Sequence, residues 1–455
     1  MTSPHRPLAA PTQVVELDLD RPQELHTPGD LRTPSAGRAL ALVRRDGHPL
    51  GLVTATGRAG DPAGLPAAVV EAAYRDLAAY RDPTPTPTSP PAPAANPMPA
   101  ATPMPAATPA RTTPTPPPAP ADDLLSVSVI VCTRDRADQL GACLDAVLRT
   151  THPRTEVIVV DNAPTDDSTE RLLRSRYAGR VRRLCEPAPG LARARNAGLA
   201  AARGEICAFT DDDALTDPGW VSAMVAAFRS DPRIGCVTGL VLPAELDTEA
   251  QAAFERYGGY TKGFTPRSWS LRERPDPLLP LAVGGFGTGA NMAFRTDLLR
   301  AMGGFDPATG AGTRTRGGED LLAFHQVLAD GHTLAYRPDA IVWHRHRRDL
   351  AGLTAQVYGF GVGYGAYLTA LLVRRPGLLA TVLREVPRGI AKVFRRSRDR
   401  SDRSDRSDRS GDSGGAGRRP PAPFGLAEFR GLVCGPPSYL LSRWEQRGTR
   451  AGEPS

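Results

Sequence analysis

Paired cysteines are missing from this sequence. Six cysteines occur, at Cys132, Cys143, Cys185, Cys207, Cys236 and Cys434, and no two form a C-x-x-C spacing. That gives neither a zinc site nor a disulfide framework, and it points to a reducing, cytoplasmic compartment. Several of these residues sit in apolar runs, where a free thiol behaves as a small hydrophobe. A signal-peptide pattern is also lacking. Pro4, Pro7 and Pro11 interrupt the N-terminus, and Glu16, Asp18 and Asp20 follow. A dense Leu/Ile/Val run of membrane-span length is absent too. Residues 351–373 are uncharged and long enough, but they carry five glycines, which favours an interfacial helix over a span. The formal charge of +7 collects mostly in the C-terminal third. No aromatics interleave with those arginines and no zinc-finger or recognition-helix signature accompanies them, so nucleic acid is not the expected partner. An anionic membrane surface, at the inner face of the cell membrane, fits the basic tail better.

Proline and glycine are abundant, 46 and 45 in 455 residues, and clustered, so the folded part is shorter than the chain. Residues 1–81 read as a small segment, with a hairpin over 39–54 around Asp46-Gly47 and a helix over 65–80. It is too small to bury a core alone, so docking on the main domain is expected. Residues 82–121 are a disordered Pro/Ala/Thr linker. The main domain spans 125–346. A helical, basic, membrane-associated region follows over 347–396, with an uncharged first half and an amphipathic stretch over 376–394. Then come a solvated, disordered Asp-Arg-Ser repeat over 397–422 and a short helical segment within 423–455.

In the main domain, strands over 127–132, 156–160, 181–185 and 205–209 alternate with helices over 139–148, 169–177 and 191–202. This predicts an α/β fold, a mostly parallel sheet flanked by helices. Ligands in such sheets sit beyond the carboxyl ends of the strands. Three polar clusters stand there: Thr133-Arg134-Asp135-Arg136, Asp161-Asn162 and Asp211-Asp212-Asp213. Beyond about residue 243 the alternation is lost. A Gly-rich loop over 285–291, helices over 297–302 and 317–328, and a strand over 341–344 are expected there. Asp217-Pro218 reads as a helix N-cap followed by Pro at the first helical position.

The acidic run follows the apolar strand Ile206-Cys207-Ala208-Phe209-Thr210. Carboxylates there suit a hard divalent cation that completes its shell with diphosphate oxygens and water. A solvated acidic turn is the ordinary alternative.

The wider set of motifs changes that balance. The chain reads Val-Ser-Val-Ile-Val-Cys-Thr-Arg-Asp-Arg at 127–136, Glu-Val-Ile-Val-Val-Asp-Asn at 156–162 and Gly-Leu-Ala-Arg-Ala-Arg-Asn-Ala-Gly-Leu at 190–199. It continues with Phe-Thr-Asp-Asp-Asp at 209–213, Gly-Thr-Gly-Ala-Asn-Met-Ala-Phe-Arg at 287–295, Gly-Gly-Phe-Asp at 303–306, Gly-Gly-Glu-Asp-Leu at 317–321 and Tyr-Arg-Pro-Asp-Ala-Ile-Val-Trp-His at 336–344. In this order they resemble the family 2 glycosyltransferases, over about residues 125–346. The resemblance implies the glycosyltransferase A fold, a nucleotide-diphosphate sugar donor, a divalent cation (Mn²⁺ or Mg²⁺) and inversion at the anomeric carbon. It implies a glycan, lipid-linked or small-molecule hydroxyl acceptor.

Residue by residue, it puts Thr133 and Asp135 along the nucleoside and Asp161 on the base. Arg195 and Asn196 fall near the donor, and Asp211 near ribose. Asp213 and His344 fall on the metal, and Asp320 is the catalytic base. Asp212, between the two motif positions, contributes least directly. Glu319 is a substitute base or an acceptor ligand, but neighbours on a helix diverge by about 100° and cannot aim equally at one hydroxyl. Plain dipole-favourable charge at a helix start competes with catalysis for this pair, and a hydrogen-bonded structural histidine competes with a ligand at His344. Trp269 and Trp343 are candidates for stacking on sugar, with core packing the better default for Trp343.

Cys132 stands where the family usually has Pro, Asn162 where a second Asp is common, and Ala163-Pro164 where Gly-Ser is usual. These changes bear on the base and ribose contacts, not on the metal or base positions. A nucleotidyltransferase would carry a Gly-rich loop after the first strand, which Thr133-Arg134-Asp135-Arg136 is not. A catalytically silent nucleotide-sugar-binding protein on the same fold is the other alternative, and Asp211, Asp213 and Asp320 argue against it.

Overall fold

In the computed structural model, Asp46 and Gly47 both take positive φ, 50° and 76°. They close a two-residue hairpin whose backbone suits the right-handed twist of its strands. These are β3 (Arg38–Arg45) and β4 (His48–Thr56), preceded by β1 (Gln13–Asp18) and β2 (Leu25–His26). The sheet order is β2-β1-β3-β4, with β1 parallel to β3. The structure describes residues 8–30, 37–57, 64–77, 124–272, 283–380, 383–384 and 423–451. The expected linker over 82–121, the Asp-Arg-Ser tract over 397–422 and the amphipathic stretch beyond residue 384 lie outside them.

Side chains alternate across a strand, and both faces of this small sheet are used. Ala39, Ala41 and Val43 pack with Val15, Leu17 and α1 (Gly64–Asp76). Val14, Leu40 and Leu42 instead meet Leu215, Leu240, Leu242 and Trp343 of the main domain. The expected docking is thus realised through one whole sheet face. Arg44 fastens it, with Nη2 2.6 Å from both Glu16 and Asp217 carboxylates.

Among the described residues the main sheet has nine strands. Its parallel part is β8-β5-β6-β7, made of β5 (Val127–Thr133), β6 (Thr155–Asn162), β7 (Arg182–Glu186) and β8 (Ile206–Asp211). The crossovers are α2 (Ala137–Val147), α3 (Ser168–Arg176) and α4 (Leu191–Ala201). Alternation again sorts the faces. Ile130 packs in the cluster that holds α4, and Val129 and Val131 in the one that holds Leu140 and Leu144 of α2.

The chain then forms β9 (Ala214–Thr216), α5 (Trp220–Ser230), β10 (Ile234–Pro243), α6 (Glu249–Tyr257) and β11 (Arg267–Trp269). It ends this domain with β12 (Met292–Arg295), α7 (Thr296–Ala301), α8 (Glu319–Ala329) and β13 (Thr333–His344). Strand β12 runs antiparallel between β8 and β10, and β13 runs parallel beside β10. All ten residues of β10 are buried, yet its glycines and threonine hid it in the sequence. The register slips by three residues, 338–340, opposite Gly239 and Leu240. Asn291 clamps the slip, donating 2.9 and 2.8 Å bonds to the Leu240 and Ala340 carbonyls.

Helix α5 begins at Trp220, not at Pro218 as the sequence suggested. The Asp217 carboxylate instead caps a turn by accepting from Gly219 N at 2.8 Å.

Helix α9 (Leu350–Arg374) was expected to be an interfacial helix. It lies largely buried between α8 and the last helix, α10 (Pro423–Ala451). Its glycines serve close approach: a Cβ at Gly361 or Gly365 would collide with the Glu428 or Leu432 carbonyl of α10. Among the described residues no helix is long and apolar enough to cross a membrane.

Candidate active site

The carboxyl ends of β5, β6 and β8 bring the three polar clusters to one sheet edge. Strand β8 ends at Asp211, and β13 ends at His344 beside β9 and opposite Ala214. This pairing carries the imidazole to the acidic run. Ligand atoms of Asp211, Asp213 and His344 all lie within 4.8 Å of one another.

His344 Nε2 stands 3.2 Å from Asp213 Oδ1. Yet that oxygen and His344 Nδ1 are buried without an aligned hydrogen bond. Burial opposes charge on both groups, but their mutual attraction prevails. Asp213 is held below the usual carboxylate range by His344 and Arg136, and His344 is raised by Asp213 and Asp211. Two carboxylates and one imidazole with unspent lone pairs form a donor set that fits a divalent cation.

The three aspartates are not equivalent. Asp212 is buried and accepts from Thr133 Oγ1 at 2.7 Å and Arg136 Nη1 at 3.1 Å. Burial, reinforced by Asp213, pushes its carboxyl up to about 6. It braces the run through these two bonds. Thr133, expected along the nucleoside, spends its hydroxyl on that brace. Arg136 also reaches Asp213 at 3.3 Å. No sequence signal marked it for this task, because the pairing is tertiary.

Asp211 is half-buried, and burial raises its carboxyl against the attraction of Arg195. Arg195 is itself buried, 2% exposed. It donates to Asp211 at 3.3 Å, Glu319 at 2.8 Å and the Gly289 carbonyl at 3.1 Å. Asn196 clasps the backbone of Phe305 at both ends, each at 2.8 Å. It therefore shapes the 303–306 turn. Asp161 is fully buried. Its Oδ2 accepts from Arg183 at 2.9 Å, and its Oδ1 has no hydrogen-bond partner. Asp135 has φ 53° and accepts from Thr165 N at 2.9 Å, tying the loop after β5 to the loop after β6. Asn162 ties the latter to residues 186–190 through Glu186, Ala188 and Gly190.

Helix α8 starts after Gly318, whose φ is 93°. Its first two residues part company. Glu319 is buried against Arg195, and burial pushes its carboxyl up to about 7. Asp320 is half-buried, with Oδ2 accepting from Gly289 N at 2.9 Å and Oδ1 from Leu321 N at 2.8 Å. The two helix neighbours thus differ in burial, with Glu319 buried and Asp320 half-buried.

Above the site, Tyr260 packs on His344 with ring centroids 5.2 Å apart. Lys262 follows on the same loop, and burial lowers its ammonium while Asp320 raises it. The loop is pinned on either side of Lys262: Thr261 donates to the Val241 carbonyl, and the Gly263 carbonyl accepts from Tyr336. Neither Tyr260 nor Lys262 belongs to a sequence pattern. Trp343 is core, as expected, and Trp269 packs on Phe286 at 4.7 Å.

Residues 128–302 match the model for glycosyl transferase family 2. The chain is 29% identical over 194 residues to the pre-mycofactocin glycosyltransferase of Mycobacterium tuberculosis, an overlap of 43% of this chain and 37% of that protein. It is 24% identical over 239 residues to the glucosyl-dolichyl phosphate glucuronosyltransferase of Haloferax volcanii, covering 49% and 69%. The chain thus spans little more than a third of the length of the first of these relatives. Among solved structures, the mannosyltransferase PcManGT of Pyrobaculum calidifontis, in complex with GDP-Man and Mn²⁺, aligns at a TM-score of 0.40 and 19% identity. That alignment covers 74% of this chain and 78% of the other.

Proposed function

Residues 128–302 are a family 2 glycosyltransferase domain, and on that premise we propose that the protein moves a sugar from a nucleotide-diphosphate donor to an acceptor hydroxyl with inversion. The observation that carries this reading is the Asp211, Asp213 and His344 cluster at the sheet edge, with half-buried Asp320 at the same opening.

The unpartnered Asp161 Oδ1 is a ready acceptor for a base N–H. Asp211, Asp213 and His344 would hold a divalent cation, Mn²⁺ or Mg²⁺. Such a cation offsets the negative charge that builds on a leaving diphosphate. Asp320 takes the proton of the acceptor hydroxyl as that oxygen bonds to the anomeric carbon. The bond from that carbon to the diphosphate oxygen breaks on the opposite face, which inverts the centre. The Gly289 and Leu321 N–H groups fix the Asp320 carboxylate for this task, a positioning that general-base catalysis needs. Glu319 and Arg195 set the charge behind it. The acceptor is a glycan, a lipid-linked species or a small molecule, and a role in cell-envelope glycan or glycolipid synthesis at the inner membrane face belongs to this reading.

The test is donor turnover. Purified protein should cleave a nucleotide sugar from a panel of donors with Mn²⁺ or Mg²⁺, and EDTA should abolish the reaction. Nucleotide binding without turnover on any donor and acceptor would instead make this a silent nucleotide-sugar-binding protein.

A further inference from the structure

Helix α10 has two opposite faces with opposite fates. Phe424, Gly431, Gly435, Tyr439 and Ser442 are buried. Gly431 and Gly435 approach the α9 backbone so closely that a Cβ on either would collide with it. Across the helix stand Leu426, Phe429, Val433, Leu440, Leu441 and Trp444, all exposed, with Trp444 at 73%. At about 100° per residue these six fall within about 60° of the direction of Leu426, and the row is about 27 Å long.

A ridge this long and apolar is unusual on a protein that meets only water. Its charge is one-sided. Exposed Arg430 lies on the ridge, and exposed Arg384 follows just beyond the end of the neighbouring helix α9. The acids of α10 are engaged elsewhere. Glu428 accepts from Tyr257 on α6, and Glu445 from Arg314.

The geometry points to this ridge as a seat on an anionic lipid bilayer: Leu426, Phe429, Val433, Leu440 and Trp444 enter the headgroup–acyl boundary, and the arginines meet lipid phosphates. An amphipathic helix with an apolar stripe, an interfacial Trp and basic flanks binds in the plane of the membrane in this way. The arginine charge decides between a bilayer and a second copy of this chain, because two such ridges face to face would oppose like charges. The placement also bears on the site. Gly363 of α9 touches Gly317 and Gly318, just before Asp320, so α9 is the layer between the seated helix and the start of α8. The inference deepens the membrane-face part of the proposed function, and flotation tests it independently of sugar transfer, since it concerns binding alone.

The test is flotation of the full chain with phosphatidylglycerol–phosphatidylcholine vesicles. The triple variant Leu426→Glu, Leu440→Glu, Trp444→Glu changes only exposed positions, and circular dichroism and the melting temperature check that it stays folded. The parent should float, its tryptophan emission should shift to the blue, and the variant should partition at least about tenfold less. Three results would overturn the proposal. One is a parent that does not float. Another is equal flotation of parent and variant, which would assign adhesion to the arginines alone. The third is a parent dimer that the variant lacks and that vesicles leave intact, which would make a second copy the occupant.

Discussion

Asp320 has both carboxylate oxygens oriented by backbone N–H groups; Asn keeps its size but removes the base and, with a single oxygen, gives up one of these two bonds. Asp320→Asn should lower kcat by about a hundred- to ten-thousand-fold. Donor affinity, read by titration calorimetry with nucleotide and Mn²⁺, should change little. Asp213→Ala should differ in kind, because it removes one carboxylate from the candidate cation cluster. Activity should then respond to added metal only at concentrations at least about tenfold higher. At this scale the sequence was informative where chemistry is local. Asp211, Asp213, Asp320 and His344 stand in motifs, and the structure gathers the first, second and fourth within ligand distance. It was silent on Arg136, Tyr260 and Lys262, and it left Glu319 ambiguous. Their parts depend on burial and on partners distant in sequence, such as the Arg195–Glu319 bond across 124 residues.

Helices α8 and α9 meet around His325, which is buried with neither ring nitrogen hydrogen-bonded. Burial, aided by the nearby Arg375 and Arg374 charges, lowers its imidazole to about 4. An unfolded histidine titrates near about 6.5, so between these values the unfolded chain binds more protons than the fold. The contribution of the neutral ring is complete above about pH 6.5 and is lost as pH falls through that window to about 4, a total on the order of 3 kcal/mol. Chemical denaturation at a series of pH values should show this slope, and His325→Met should flatten it. On the other side of α9 the glycine contacts are equally specific. Gly361→Ala should push the Glu428 carbonyl, and α10 with it, off α9 and cost about 1–3 kcal/mol, which calorimetry would record as a lower melting temperature. Parallel strands with their helices were legible because each has an unbroken period. Strand β10 was not, since Gly235, Thr238 and Gly239 break its apolar run. The α9 glycines told against a membrane span, and no described helix is long and apolar enough for one, but sequence does not say which surface a glycine clears.

Across the whole molecule, the N-terminal sheet and the catalytic domain share one buried interface, pinned by the Glu16, Arg44 and Asp217 triad. The desolvated arginine balances two carboxylates, so its removal leaves both uncompensated. Arg44→Met should destabilise the docked state by about 3–5 kcal/mol. Limited proteolysis should then cut residues 8–77 while the catalytic domain survives, and the melting curve should separate into two transitions. Docking itself was foreseeable from size, since so short a segment buries too little alone. The face that docks was not, because Leu40 and Leu42 look no different from Ala41 and Val43 until both partners are present.

Arg195 carries a longer consequence. One guanidinium serves Asp211, in the candidate cation cluster, and Glu319, beside Asp320, the proposed base. A drifting lineage cannot readily change Arg195 or Glu319 alone, since either step takes the nearest partner from a charge in a dry interior. These two should be inherited as a pair. In a library randomised at 195, 211 and 319 and selected for folding, survivors should keep both Arg195 and Glu319 or replace them together.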